Sequence, residues 1–196
     1  NSNQILIRKG KKGESLTTLD DVKRNVSSNE LLITNGKDPL ALAGIMGGIE
    51  SAVSEKTKII LIESAYFNPP TIRKSAKSLG LTTDASKRFE RGTDPNGAEV
   101  AFWRVIKLIE ELSIGNWIPG IIDPYPKKIE QPTISLSREK LDILSGVIIK
   151  DEFINNILKR IGCKVNKKTK NKWQCTVPSW RPDLEREVDL IEEIIR

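Results

Sequence analysis

Histidine is absent from this 196-residue chain. That removes the commonest general base near neutral pH and the commonest zinc ligand. It also rules out any Ser-His or Cys-His nucleophilic set. Cysteine occurs only at Cys163 and Cys175, with neither Cys-x-x-Cys spacing nor a disulfide framework. A reducing, cytoplasmic setting is the expectation. The apolar runs are far too short to span a bilayer and no signal peptide is visible, so no membrane partner is expected. The chain starts without Met and ends within an apparent helix. It reads as a fragment of a longer polypeptide.

What is present is globular in kind. Charged residues make up 30% and apolar residues 38%, a soluble rather than a disordered profile. The length suits one ordinary domain or two small ones. A net charge of +6 is compatible with a polyanionic partner, although a lysine-rich composition gives the same figure without one.

Residues 4–8 and 31–34 read as strands, and 58–63 (Lys-Ile-Ile-Leu-Ile-Glu) as a buried strand ending in a carboxylate. Residues 71–79 suit a short helix closed by Gly80, and Pro95-Asn96 open a long one that Gly115 stops. Val100, Trp103, Ile106, Leu108, Ile109 and Leu112 would form its apolar face. Prolines then crowd the chain, and 121–131 reads as a linker between a first domain, 1–120, and a second, 132–196. In the second, a strand at 133–136 precedes helices at 138–144, capped by Ser137, and 151–161. A hairpin of 163–166 and 173–177 around a lysine-rich loop follows, then a helix from about Leu184. Two short helices and a hairpin outline a winged helix-turn-helix. The expected fold class is α+β: a mixed α/β domain followed by a small winged-helix-like domain of the DNA-binding kind.

The most informative stretch is 80–95, Gly-Leu-Thr-Thr-Asp-Ala-Ser-Lys-Arg-Phe-Glu-Arg-Gly-Thr-Asp-Pro. Small residues there would let backbone approach a ligand, beside basic residues able to meet phosphates. The run resembles a signature of the editing domain of the phenylalanyl-tRNA synthetase β subunit, bacterial type. Residues 178–193 resemble the following domain of that family. Ala41 to Gly48 is a glycine-containing loop without a P-loop lysine. Alone, Gly47 and Gly48 could simply carry a tight turn.

The resemblance implies an editing pocket for mischarged Tyr-tRNA(Phe), with Gly47, Glu63, Thr83 and Ala85 as substrate-binding positions. Glu63 would accept a hydrogen bond from the tyrosine hydroxyl. On its own it could be a strand-end acid facing water. Thr83 would help position the attacking water as the catalytic position, and is also a natural helix N-cap. Lys87, Arg88 and Arg91 would meet the tRNA, or form a solvated face. Ala43 stands where the family more often has glycine, and the family's upstream His-containing element and arginine are missing. Poor editing by this piece alone is therefore expected.

Asp189, Glu192 and Glu193 share a helix face and oxygen ligands suit magnesium, though acidic solvated faces are common. The resemblance implies an Mg2+ site on Asp183, Asp189, Glu192 and Glu193, shared with an α subunit. It further implies a cytoplasmic ligase of two α and two β chains that joins phenylalanine to tRNA(Phe) in protein biosynthesis. ATP would be used by the full enzyme and not bound here. Two rivals stand beside this: a winged-helix nucleic-acid binder, and a scaffold with no pocket.

Overall fold

The computed structural model describes residues 4–196. It divides the chain into two compact units, each with its own core. The first runs to Thr93 and takes in Ala98–Trp103; the second comprises Asp94–Gly97 and Arg104–Arg196. No helix among the described residues is long and apolar enough to cross a membrane.

Six short strands lead the first unit: β1 (Leu6–Lys9), β2 (Glu14–Thr17), β3 (Lys23–Val26), β4 (Leu31–Thr34), β5 (Pro39–Leu42) and β6 (Met46–Gly47). β1, β4, β5 and β6 form one antiparallel sheet in that order, and β2 pairs with β3 in a separate hairpin. Along β4 the alternation expected of a half-buried strand is kept, with Leu32 and Thr34 fully buried. Helix α1 (Pro69–Ser78) starts on Asn68, whose side chain accepts from the Thr71 amide, and carries prolines in its first turn, where no amide is needed. Its buried face, Ile72 and Ala76, packs into a core with Leu32, Leu42, Ile45 and Phe67. Helix α2 (Asp84–Phe89) follows.

The expected strand at 58–63 does not form. Those residues make no ladder, and Ile59, Ile60 and Leu61 lie 76%, 53% and 78% exposed. An apolar run becomes a buried strand only where a neighbouring strand takes its backbone groups, and no described strand pairs with it.

Helix α3 (Gly97–Glu111) is divided between the units. Of its anticipated apolar face only Ile106 is buried. In the second unit, β7 (Thr133–Ser137), α4 (Arg138–Ser145), α5 (Asp151–Arg160), β8 (Lys164–Thr169), β9 (Lys172–Thr176) and α6 (Glu187–Ile195) follow in turn, with strands in the order β7-β9-β8. Helices α4, α5 and α6 contribute Leu141, Ile154, Leu158, Leu190 and Ile191 to a core around fully buried Trp173, whose indole nitrogen donates to Asn155 Oδ1 at 2.9 Å. Gly146 ends α4 at φ 70°, a left-handed conformation that glycine adopts without penalty.

Two sequence expectations shift here. Most of the lysine-rich loop is strand: β8 runs on to Thr169, so the hairpin closes at Lys170-Asn171. The last helix begins at Glu187, and Leu184 is a buried core residue of the preceding turn.

One buried acid ties the sheet to α1. Glu30, 2% exposed, accepts from the amide and hydroxyl of Ser27 and from the hydroxyl of Ser78, while Ser75 donates to the Asn29 carbonyl. Burial alone would push its carboxyl up; the bonds from Ser78 and Ser27 outweigh that and hold it below the ordinary glutamate value. A lowered folded-state pKa contributes stability above the unfolded value, and that stability is lost as pH falls through the folded value. The first unit should therefore weaken on acidification below about pH 4.5, and Glu30→Gln should flatten that dependence in pH-dependent urea unfolding. At neutral pH, Glu30→Ala should cost about 1–2 kcal/mol, because it removes the shared acceptor of the Ser27 amide and hydroxyl and of the Ser78 hydroxyl.

Candidate functional site

The glycine loop contains three glycines with different reasons to be there. Gly44 has φ +67°, and a Cβ on it would stand 2.8 Å from the ring of Phe67 and 3.0 Å from Ile72. A Cβ on Gly48 would meet the Leu40 carbonyl oxygen at 2.6 Å. The fold therefore requires both. Gly47 is unlike them: the nearest atom to a Cβ there is the tip of Leu19, at 3.3 Å. Its carbonyl accepts from the Leu19 amide, which docks the β2–β3 turn onto the loop. Packing explains Gly44 and Gly48 and leaves Gly47 open for another use.

The signature segment meets this loop. Thr83 is the N-cap of α2: its hydroxyl accepts from the Ser86 amide at 3.0 Å and donates to the Ile45 carbonyl at 2.8 Å. The Ser86 hydroxyl completes a reciprocal box by accepting from the Thr83 amide at 2.9 Å. At its other end, α2 is held by Phe89, whose ring stands edge-on to Phe67 with centroids 4.9 Å apart. Phe67 also packs on Gly44. Loop, helix and Phe67 thus close a ring of contacts. It brings Thr83 and Ala85, both half-buried, to the loop that holds Gly47.

Sequence reasoning missed Phe67, Phe89 and Ser86. The Thr-x-x-Ser spacing was a signal for Ser86. The two phenylalanines had none, because their pairing is a tertiary contact.

Glu63 departs from expectation. It lies in the unpaired segment and is exposed by area, not buried at a strand end. Even so, enough protein crowds its carboxyl for desolvation to push it above the ordinary glutamate value, and no donor among the described residues meets it. The exposure makes that desolvation mild. Glu63 is four residues from Phe67, so extended chain keeps the two Cα atoms within about 14 Å. Lys87, Arg88 and Arg91 are exposed and have no ion-pair partner among the described residues.

The four acids expected to hold magnesium do not form a metal-holding group among the described residues. Arg181 takes two of them: its guanidinium pairs with Asp183 at 2.7 Å and Glu193 at 2.8 Å. The Arg181 hydrogen bond holds the Asp183 carboxyl below its usual range. Asp189 turns back to cap its own helix, accepting from the Glu185 and Arg186 amides at 3.0 and 2.7 Å, and pairs with Arg186. Glu192 is exposed. Among the described residues no group of three or more acids, cysteines or histidines is placed to hold a metal ion. As placed, Asp183, Asp189 and Glu193 are engaged by arginine charge and backbone amides rather than left open to a cation.

Sequence comparison places this architecture. The model of the B3/4 domain matches residues 1–114 and that of the tRNA synthetase B5 domain matches residues 134–196. The chain belongs to the B3/4 domain family. It is similar to the phenylalanine–tRNA ligase beta subunits of Nitratidesulfovibrio vulgaris (42% identical over 193 residues, 98% of this chain and 24% of that protein) and Thermotoga maritima (40% over 193, 98% and 24%). The beta subunit of Yersinia pestis is 42% identical over 196 residues, covering 100% of this chain and 24% of the relative. The chain thus spans about a quarter of the length of these curated relatives.

Three outcomes are expected. Gly47→Ala should leave the unfolding of the first unit within about 0.5 kcal/mol of the parent, whereas Gly48→Ala should cost more than about 2 kcal/mol through the backbone clash. Thr83→Val keeps the shape but loses both hydroxyl bonds, and should cost about 1–2 kcal/mol in the same urea titration. Millimolar magnesium should leave the thermal midpoint of the chain unmoved, since an ion held by all four acids would have to displace Arg181 from Asp183 and Glu193 and Arg186 from Asp189.

Proposed function

We propose that the first unit carries the proofreading pocket of a phenylalanine–tRNA ligase β subunit, the site that clears tyrosine wrongly attached to tRNA(Phe). The observation that carries this reading is the Thr83–Ile45 hydrogen bond, which joins the signature segment to the glycine loop beside the one glycine that packing leaves open. The name shared by the relatives supports it.

Tyrosine exceeds phenylalanine by one hydroxyl. A synthetic pocket shaped for phenylalanine rejects that addition by only about a hundredfold in comparable apolar sites. A second site that demands the hydroxyl does better, since phenylalanine leaves its acceptor unpaired. Glu63 is the acceptor. Its carboxylate has no donor of its own and is already partly desolvated, so a phenolic hydroxyl meets a free acceptor. The Gly47 backbone and Ala85 wall the site. Lys87, Arg88 and Arg91 meet phosphates near the acceptor end.

Hydrolysis here needs no protein nucleophile. The chain has no histidine, and the single hydroxyl proton of Thr83 is spent on Ile45. Thr83 acts by holding the loop and keeps one lone pair with which to orient water. Rate then comes from positioning and preorganised dipoles. The second unit supports the assembly. Its β-α-α-β-β order, with the hairpin returning beside the first strand, is one that a winged helix-turn-helix would have. The whole protein, with an α subunit and ATP, attaches phenylalanine in a cytoplasmic heterotetramer.

The test is deacylation of Tyr-tRNA(Phe) by the complete ligase carrying this sequence. Glu63→Ala should slow clearance of tyrosine about 10–100-fold, the value of a hydrogen bond to a charged group, while leaving phenylalanine attachment intact. Unchanged tyrosine clearance would favour a scaffold without a pocket.

A further inference from the structure

From residue 57 to residue 67 the chain belongs to no helix or strand, and Glu63 lies within that stretch. No ladder fixes its backbone. From Lys58 to Glu63 no residue makes a hydrogen bond among the described residues, and Ile59, Ile60 and Leu61 are exposed. The next residue breaks this pattern. The Ser64 hydroxyl donates to the Ala98 carbonyl at 2.6 Å, across 34 residues of sequence. Beyond it, Ala65 and Phe67 pack into the core of the first unit. Ser64 is therefore where the loose segment first takes hold of another element.

The acceptor of that bond sits on a rigid support. Ala98 lies in the first turn of the 15-residue helix α3, and Ala98–Trp103 belong to the first unit. A group held from a helix is placed more exactly than one held from a loop. The bond also sets how freely Glu63 can move. With it made, the residue next to Glu63 is fixed. Without it, the nearest fixed residue is Ala65, and the two soft backbone torsions of Ser64 are added between anchor and carboxylate. It brings the first turn of α3 within one residue of Glu63, whose carboxyl has protein around it but no donor.

We propose that Ser64 is a positioning residue of the pocket: by anchoring the backbone beside Glu63 to the Ala98 carbonyl of α3, it aims the Glu63 carboxylate at the phenolic hydroxyl of tyrosine. This role rests on the proofreading reading above. Ser64 does not itself touch the substrate, because its one hydroxyl proton is given to Ala98. Its effect passes wholly through Glu63. The two residues then act as a unit, and the losses caused by replacing them overlap rather than multiply.

The test is deacylation of Tyr-tRNA(Phe) by the complete ligase carrying this sequence. Ser64→Ala, Ser64→Thr, Glu63→Ala and the double variant Ser64→Ala/Glu63→Ala are compared, each rate taken relative to phenylalanine attachment by the same preparation. Ser64→Ala should slow tyrosine clearance about 3–10-fold, the value of one neutral hydrogen bond. Ser64→Thr keeps the hydroxyl and should restore most of that rate. In the Glu63→Ala background, Ser64→Ala should change the rate by less than about twofold, since no carboxylate remains to be aimed. A serine that merely stabilised the fold would lose the same factor with or without Glu63. Equal losses in the two backgrounds, a threonine variant as slow as alanine, or a Ser64→Ala enzyme as fast as the parent would each overturn the proposal. If Glu63→Ala slows clearance and Ser64→Ala does not, the pocket stands and only the role of Ser64 falls. If Glu63→Ala has no effect, the pocket falls and this role falls with it.

Discussion

One hydroxyl proton decides how the first unit is built. Thr83 has a single O–H to give and gives it to the Ile45 carbonyl, across 38 residues of sequence. In accepting from Ser86 the same oxygen starts α2. A local cap and a long-range tie are thus made by one side chain, and neither can be removed without the other. Phe67 closes the arrangement from the far side, stacked edge-on with Phe89 and seated against Gly44. Aromatic edge contacts of this kind are worth about 0.5–1.5 kcal/mol beyond their burial, comparable to the cap itself. The glycine loop is held by both.

On the proofreading reading proposed above, that geometry sorts the roles of the residues assigned to the pocket. A threonine whose proton is committed cannot also deliver it to a leaving group, so its part is positional. A glycine that neither backbone angle nor packing demands is free to face a ligand. An acid with protein around it but no donor is an acceptor in want of a partner. In the second unit the chemistry is opposite in kind. Arg181 there satisfies Asp183 and Glu193, and Asp189 closes its own helix. Satisfied acids of this kind stabilise a turn and a helix start.

The local features were legible in the sequence. Thr83 as an N-cap, Gly146 as a left-handed stop and the helix over α5 all follow from side-chain chemistry within a few residues. The run 58–63 misled because a strand is completed by its neighbour, and composition says nothing about whether a neighbour is there. The hairpin was drawn short because lysines suggested a loop, while β8, the edge strand of the sheet, runs on to Thr169. The acids at 183–193 had ligand-like spacing, yet Arg181 and the free amides before α6 reached them first. Thr83–Ile45 and Phe67–Phe89 were invisible for the plainest reason: they join segments that only the fold brings together.

The most direct measurement is tyrosine clearance from Tyr-tRNA(Phe) by the complete ligase with Thr83→Val beside Thr83→Ser. If the hydroxyl works by tying α2 to the glycine loop, serine keeps most of the rate and valine loses about tenfold or more, with phenylalanine attachment unaffected by either. A valine variant that clears tyrosine as fast as the parent would contradict the account.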